Sequence, residues 1–148
     1  MSEPQMQDKI EAKVQIQAPL EQVWSLVSTP GWWINDGSIV EHKISQVGNK
    51  AVLIDPVHGQ FTLLILESLL QEQIRYRWAC EGDAAPAPIS TEIAFFLLPK
   101  DDGTQLQVIE SGFAAAQDKQ RAYRLFQENS QGWNQELELA KAHLEKLG

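Results

Sequence analysis

The chain opens on strict alternation. Ile10, Ala12, Val14 and Ile16 share one parity, and Glu11, Lys13, Gln15 and Gln17 take the other. That is the pattern of a half-buried strand with one solvent face. Pro19 then suits the first turn of a helix, where its missing N–H costs nothing, and Val23, Trp24 and Val27 follow at helical spacing. Pro30-Gly31 stops this helix, and Trp32-Trp33 begin a short irregular connection. The middle of the chain predicts strands over 39–47 and 51–55, separated by the Gly48-Asn49 turn signal, then 61–70 after a turn at His58-Gly59. In the next strand, 74–80, Ile74, Tyr76, Trp78 and Cys80 share one face while Arg75 and Arg77 take the other. Residues 81–88 are rich in Gly, Ala and Pro and predict a loop. A last hairpin, 91–98 and 104–113, turns across 100–103. The chain finishes on a long predicted helix, about 118–147, in which Phe126, Ser130, Trp133, Leu137, Ala140, Leu144 and Leu147 form one stripe. Gly132 sits inside that helix at a cost of ~1 kcal/mol relative to Ala. It permits close approach of another segment or leaves room for a ligand.

The order strand, helix, many antiparallel strands, long helix implies an α+β fold: a curved antiparallel β-sheet wrapped around a long C-terminal α-helix. One amphipathic helix does not cover a strongly curved sheet completely, and the space left over is where small-molecule cavities form. No repeat, linker or composition shift divides the chain, so one domain over 1–148 is expected.

Composition narrows the function. The chain has 148 residues, 43% of them hydrophobic, enough for one globular core. It has no apolar run of membrane-spanning length, so no membrane insertion is expected. Its first nine residues lack the basic-then-apolar order of a secretion signal. Its single cysteine, Cys80, allows no intrachain disulfide and no cysteine-based zinc site. These features predict a cytoplasmic protein. A net charge of −8, from 12 basic and 20 acidic residues without a basic stripe, argues against nucleic acid and anionic lipid as partners. A neutral or apolar ligand remains open.

Several segments carry a family resemblance. They are Ala18-Pro19-Leu20-Glu21-Gln22-Val23-Trp24, the Trp32-Trp33 pair, Arg75-Tyr76-Arg77-Trp78, Gly103-Thr104-Gln105-Leu106-Gln107-Val108 with Glu110-Ser111-Gly112-Phe113, and Gly132-Trp133. In this order they resemble the SRPBCC (START-like) superfamily over nearly the whole chain. They are most similar to its branch of homologues of the activator of the heat-shock chaperone ATPase. The resemblance implies a helix-grip fold with a hydrophobic cavity under the C-terminal helix. It implies less about activity, because the superfamily includes lipid carriers, plant hormone receptors, polyketide cyclases and oxygenase subunits. The co-chaperone of that name carries an additional chaperone-binding domain, and no segment corresponding to it is expected here.

The candidate ligand-binding set is Trp32, Trp33, Trp78, Phe95, Glu110, Phe113, Phe126 and Trp133. Aromatic side chains offer large buried areas, and each Trp N–H adds a polar handle; the plain alternative is that they form the core. Trp32 and Trp33, in an irregular segment, are placed to gate an opening. Glu110 shares parity with Leu106 and Val108, and Glu67 with Leu63 and Ile65. An inward carboxylate must find a partner or take up a proton, and can then orient a ligand or act as acid or base. The alternative favoured for both is a wet, structural position at a strand end. His42, His58 and His143 lack metal-ligand spacing, so no metal and no cofactor are expected. Cys80 has no histidine nearby in sequence to activate it. On the outward parity, Leu64 and Leu66, Ala94, Phe96 and Leu98, and Ile109 are apolar where a solvated face should be polar. This patch suggests a homodimer through the outer sheet face. The function expected first is therefore binding of a hydrophobic or aromatic small molecule, with no strong sign of catalysis. The alternatives are a co-chaperone-like interaction protein and an enzyme using Glu110 as acid or base.

Overall fold

The alternation of the first strand becomes β1 (Lys9–Ile16), followed by α1 (Leu20–Val27) and six further strands: β2 (Lys43–Val47), β3 (Lys50–Asp55), β4 (Gly59–Leu69), β5 (Gln73–Trp78), β6 (Glu92–Lys100) and β7 (Gly103–Ser111). A 3-10 turn at Phe113–Ala115 leads into α2 (Lys119–Leu147). The computed structural model describes residues 8–35, 37–56, 59–79, 89–116 and 118–147. Cys80, the 81–88 segment and His58 lie outside the described residues.

All seven strands join one antiparallel sheet in the order β1-β7-β6-β5-β4-β3-β2. Pairing β1 with β7 closes the chain on itself and fixes which parity faces inward. Ile10 stands opposite Glu110, Ala12 opposite Val108, and Val14 opposite Leu106. On α2 the stripe residues Trp133, Leu137, Ala140 and Leu144 are buried in the same core as Ile16, Val23, Phe95 and Leu106. Phe126 and Ser130 are only half-buried. The far end of α2 is tied to the exit of β1: Glu145 accepts the Gln17 N–H at 2.9 Å and the Lys141 ammonium at 2.6 Å, and Lys141 also donates to the Gln15 carbonyl. Those donors, the Gln17 N–H foremost, hold the Glu145 carboxyl below its ordinary range. Inside, the Tyr76 hydroxyl donates to the Val27 carbonyl at 2.9 Å and joins sheet to α1; burial pushes its ionisation far upward.

Three local expectations are corrected. First, residues 39–42 are not strand. The Val40 N–H donates to Asn35 Oδ1 at 3.1 Å, and the buried His42 ring meets the buried Asp55 carboxylate at 2.8 Å. Side chains here hold a segment that the sequence pattern assigns to a ladder. Second, β7 ends at Ser111, because Gly112 turns to φ +100°, a conformation that favours glycine; Phe113 therefore begins the 3-10 turn. Third, a β-bulge between Ile65 and Glu67 reverses parity within β4. Glu67 points outward, opposite Arg75, with 40% of its side chain exposed.

The outer face is less uniformly apolar than its sequence suggests. Ala94 is buried, Leu64, Phe96 and Ile109 are half-buried, and Leu66 and Leu98 are exposed. Between the β4 and β6 residues runs an ion-paired row: Arg75 contacts Glu92 at 2.7 Å and Glu67 at 3.5 Å, and Arg77 reaches Glu92 at 3.9 Å. The apolar residues continue toward the β4–β5 turn through Leu69 and Leu70.

Candidate functional site

A cavity of about 280 Å³ lies between α2 and the inner face of the sheet. The connection after α1 supplies Trp33, Ile34 and Asn35. Phe61, Trp78, Ile93 and Glu110 come one each from β4, β5, β6 and β7, and α2 contributes Asn129, Gly132, Trp133 and Glu136. A methyl group built on Gly132 would meet nothing within 4 Å, so the missing side chain leaves space on the helix wall.

Glu110 is the polar centre of this site. Its inward parity on β7 leaves it 1% exposed. Oε1 accepts from Trp133 Nε1 at 2.9 Å and from Asn129 Nδ2 at 3.0 Å, and Oε2 meets the Thr91 hydroxyl at 2.5 Å. One carboxyl thus joins β7, α2 and the residue immediately before β6. Burial raises its pKa, and the three hydrogen bonds from Thr91, Trp133 and Asn129 act in the opposite direction. A hydroxyl can donate to a carboxylate or accept from a carboxylic acid, so the Thr91 contact suits either form. A second polar pair lies along the same wall. Asn35 Nδ2 donates to Glu136 Oε2 at 2.8 Å and to the Trp32 carbonyl at 2.9 Å. The Glu136 carboxyl is likewise raised by burial, against the Asn35 bond.

The rest of the lining is aromatic or aliphatic. Trp33 lies 5.9 Å from Trp78 and 6.0 Å from Trp133, ring centre to ring centre. Among the described residues no Ser, Thr, Cys, His or Lys lines the cavity, and none forms a group of three His, Cys, Asp or Glu able to hold a metal. The arrangement suits retention of an apolar molecule. It offers two carboxyls: Glu110, whose oxygens are both engaged by the protein, and Glu136, held by Asn35 through Oε2.

Of the eight candidate residues, Trp33, Trp78, Glu110 and Trp133 line this cavity. Phe95 lies behind it, with its ring 5.4 Å from Trp33 and 5.7 Å from Trp133. Phe113 and Phe126 pack edge to face at 5.3 Å and do not line it. Trp32 faces elsewhere. The gating expectation for Trp32 and Trp33 is corrected, since they are 1% and 8% exposed and wedged among other rings. The wet strand-end placement of Glu110 is corrected as well. Asn35, Asn129 and Glu136 were missed: Asn129, Trp133 and Glu136 share one face of α2 at spacings of four and three, a signal that could have found two of them, and only the fold brings Asn35 to that face.

A seven-stranded antiparallel sheet with a long C-terminal helix across its inner face defines a helix-grip α+β protein. The chain belongs to the family described as Activator of Hsp90 ATPase homolog 1-like protein, which it matches over residues 17–145. Among solved structures it is similar to the protein MLL2253 from Mesorhizobium loti, with 20% identity, a TM-score of 0.72, and 95% of this chain and 98% of that one covered. The Aha1 dimer from Colwellia psychrerythraea is similar at 20% identity and a TM-score of 0.66, with 93% and 96% covered. CalU16 from Micromonospora echinospora follows at 19% identity and 0.59, with 88% and 72% covered. At such identities the likeness establishes the fold. No curated protein sequence gives a significant match. Among the described residues, no helix is long and apolar enough to cross a membrane.

Proposed function

We propose that this chain binds a small hydrophobic or aromatic molecule in the cavity under α2, with no strong sign of catalysis. The observation that carries this reading is an aromatic-lined space whose one deeply buried carboxyl is already engaged by three donors. An acid or base should have an oxygen free for substrate, and Glu110 offers at most a remaining lone pair on Oε2. The volume falls near the lower end of the roughly 300–1,000 Å³ usual for ligand sites, which favours compounds of one or two rings.

Gly132 supplies the test. In a thermal-shift screen with indole, 2-naphthol, naringenin and decanoic acid, a compound at ~100 times its Kd should stabilise the fold by about 2.7 kcal/mol. Tryptophan emission should change in parallel. Gly132→Leu should project into the cavity and abolish both responses while leaving the helix intact. A response of equal size in the variant places binding elsewhere, and a flat screen removes the support for this reading.

The exposed apolar residues favour a second property, self-association through the outer sheet face. Leu66 and Leu98 flank the ion-paired row on the outer face and are 41% and 54% exposed, and the similar Colwellia protein is described as a dimer. The double variant Leu66→Glu/Leu98→Glu should convert a dimeric mass to a monomeric one in light scattering at micromolar concentration. A wild-type protein already monomeric there would sink this proposal.

A further inference from the structure

The cavity under α2 carries charge of one sign only. Among the described residues its ionisable lining groups are Glu110 and Glu136, with no lysine, arginine or histidine beside them, and neither carboxyl enters an ion pair. An adjoining depression shares Asn35 and Glu136 with this cavity and adds Glu138, again without a cation, so Glu136 stands where the two meet. A second cavity, between α1, the segment before β2 and the end of α2, differs: there Glu41 is accompanied by His42 and His143. The one-sided charge belongs to the first cavity.

Its two carboxyls are not equivalent. Glu110 is 1% exposed and holds three donors on its two oxygens. Glu136 is half-buried and uses only Oε2, which accepts from Asn35. Its Oε1 accepts from none of the described residues and is not shut away from solvent. This oxygen lies beside the aromatic wall. Glu136 follows Trp133 by three residues on α2, so the two side chains are neighbours on one helix face. Asn35, which holds Glu136, comes two residues after Trp33. From Trp133 the rings run on to Trp33 at 6.0 Å, to Trp78 at 5.9 Å and to Phe61 at 5.6 Å. The planes of Trp33 stand 47° from those of Trp133 and 81° from those of Trp78, which makes the wall a corner and not a flat stack. A tryptophan ring attracts a cation held over its face within about 6 Å of its centre, and a carboxylate beside the ring attracts the same cation. Burial raises the Glu136 pKa against the Asn35 bond, as befits a carboxyl without a counter-charge. A ligand ammonium would supply that charge, whereas a ligand carboxylate would meet like charge.

Resting on the reading that this cavity takes a small aromatic molecule, we propose that the molecule is an amine. Its ring lies among Trp33, Trp78 and Phe61, and its protonated nitrogen sits between Glu136 Oε1 and the Trp133 indole. Anions of the same shape are rejected. Tryptamine, 3-propylindole and indole-3-acetate share one ring system and differ in side-chain charge, and isothermal titration of the full chain at about 0.15 M salt, which screens distant surface charge, compares them. Tryptamine should bind about tenfold more tightly than 3-propylindole, and indole-3-acetate more weakly than either. Glu136→Gln keeps an oxygen to accept from Asn35 but removes the charge, and within this variant the ratio of the tryptamine and 3-propylindole Kd values should fall to about one. Equal binding of those two compounds to wild type overturns the proposal and leaves the aromatic site standing. Binding of none of the three removes the site as well. A tryptamine preference that survives in Gly132→Leu places the amine on the acidic surface outside the cavity, and one that survives in Glu136→Gln places it away from Glu136; either result overturns the proposal.

Discussion

Replacing Glu110 with leucine should destabilise the fold by about 3 kcal/mol, the cost of leaving buried donors without an acceptor. For a domain of this size that is a fall in Tm of about 10 °C. Trp133 Nε1 bears most of the loss, since the indole is 4% exposed and aims at Glu110 Oε1. The Thr91 hydroxyl can rotate and the half-buried Asn129 can hydrate, so they lose less. Glu110→Gln should stay within ~1 kcal/mol of wild type, because its oxygen still accepts from Trp133 and Asn129 and its amide can donate to Thr91. The two proteins should also differ in pH dependence. Burial raises the Glu110 pKa in the folded state, so the folded protein binds the proton more tightly than the unfolded chain. Its contribution to stability is therefore complete at low pH and declines as pH rises from the ordinary carboxylate range through the raised value. Urea melts across that range should show wild type losing stability relative to Glu110→Gln with rising pH. A constant difference would mean that this carboxyl keeps an ordinary affinity for its proton.

Trp33→Ala should cost about 3–5 kcal/mol, the usual range for removing a large aromatic from a core. Trp33 is the hub of the aromatic cluster, with ring-centre distances of 5.3 Å to Tyr76, 5.4 Å to Phe95, 5.9 Å to Trp78, 6.0 Å to Trp133 and 6.2 Å to Trp32. The same change removes one wall of the first cavity, so the void it leaves joins a space that already exists. Added indole should refill it and raise the variant's Tm by more than it raises that of wild type. A loss below about 1 kcal/mol would show that the neighbouring rings collapse inward and that Trp33 does not hold the cavity open.

Much of this architecture was legible along the chain, for identifiable reasons. Period-two alternation placed β1, β5 and the inner row of β7, because one face of each meets the core. Spacing of three and four placed α2 and its buried residues from Trp133 to Leu144. Parity alone aimed Glu110 inward. What parity could not supply was the reason a carboxyl is tolerated there. Its partners Thr91 and Asn129 each lie 19 residues away, in opposite directions, and Trp133 lies 23 away. The Asn35–Glu136 bond joins residues 101 positions apart. For Glu67 the wet, structural position favoured from the sequence is the one observed, while its parity with Leu63 and Ile65 pointed inward because a bulge shows no signature in hydrophobic pattern. The irregular course of 39–42 was hidden too, since the β-branched Ile39 and Val40 suit a strand, while the Val40 N–H and the His42 ring are held by Asn35 and Asp55.

The bulge in β4 also bears on how this chain should be set beside its relatives. Past Ile65, an offset of one residue in the alignment exchanges inside for outside. A homologue one residue shorter at Leu66 would pair without the bulge and keep the counterpart of Glu67 outward, opposite Arg75, so an alignment without a gap there would set its inward residues against outward ones of this chain. Substitution patterns in the second half of β4 therefore carry meaning only after this single insertion or deletion has been placed. An alignment scored on residue similarity alone has little to place it with, because leucines stand on both sides of the step.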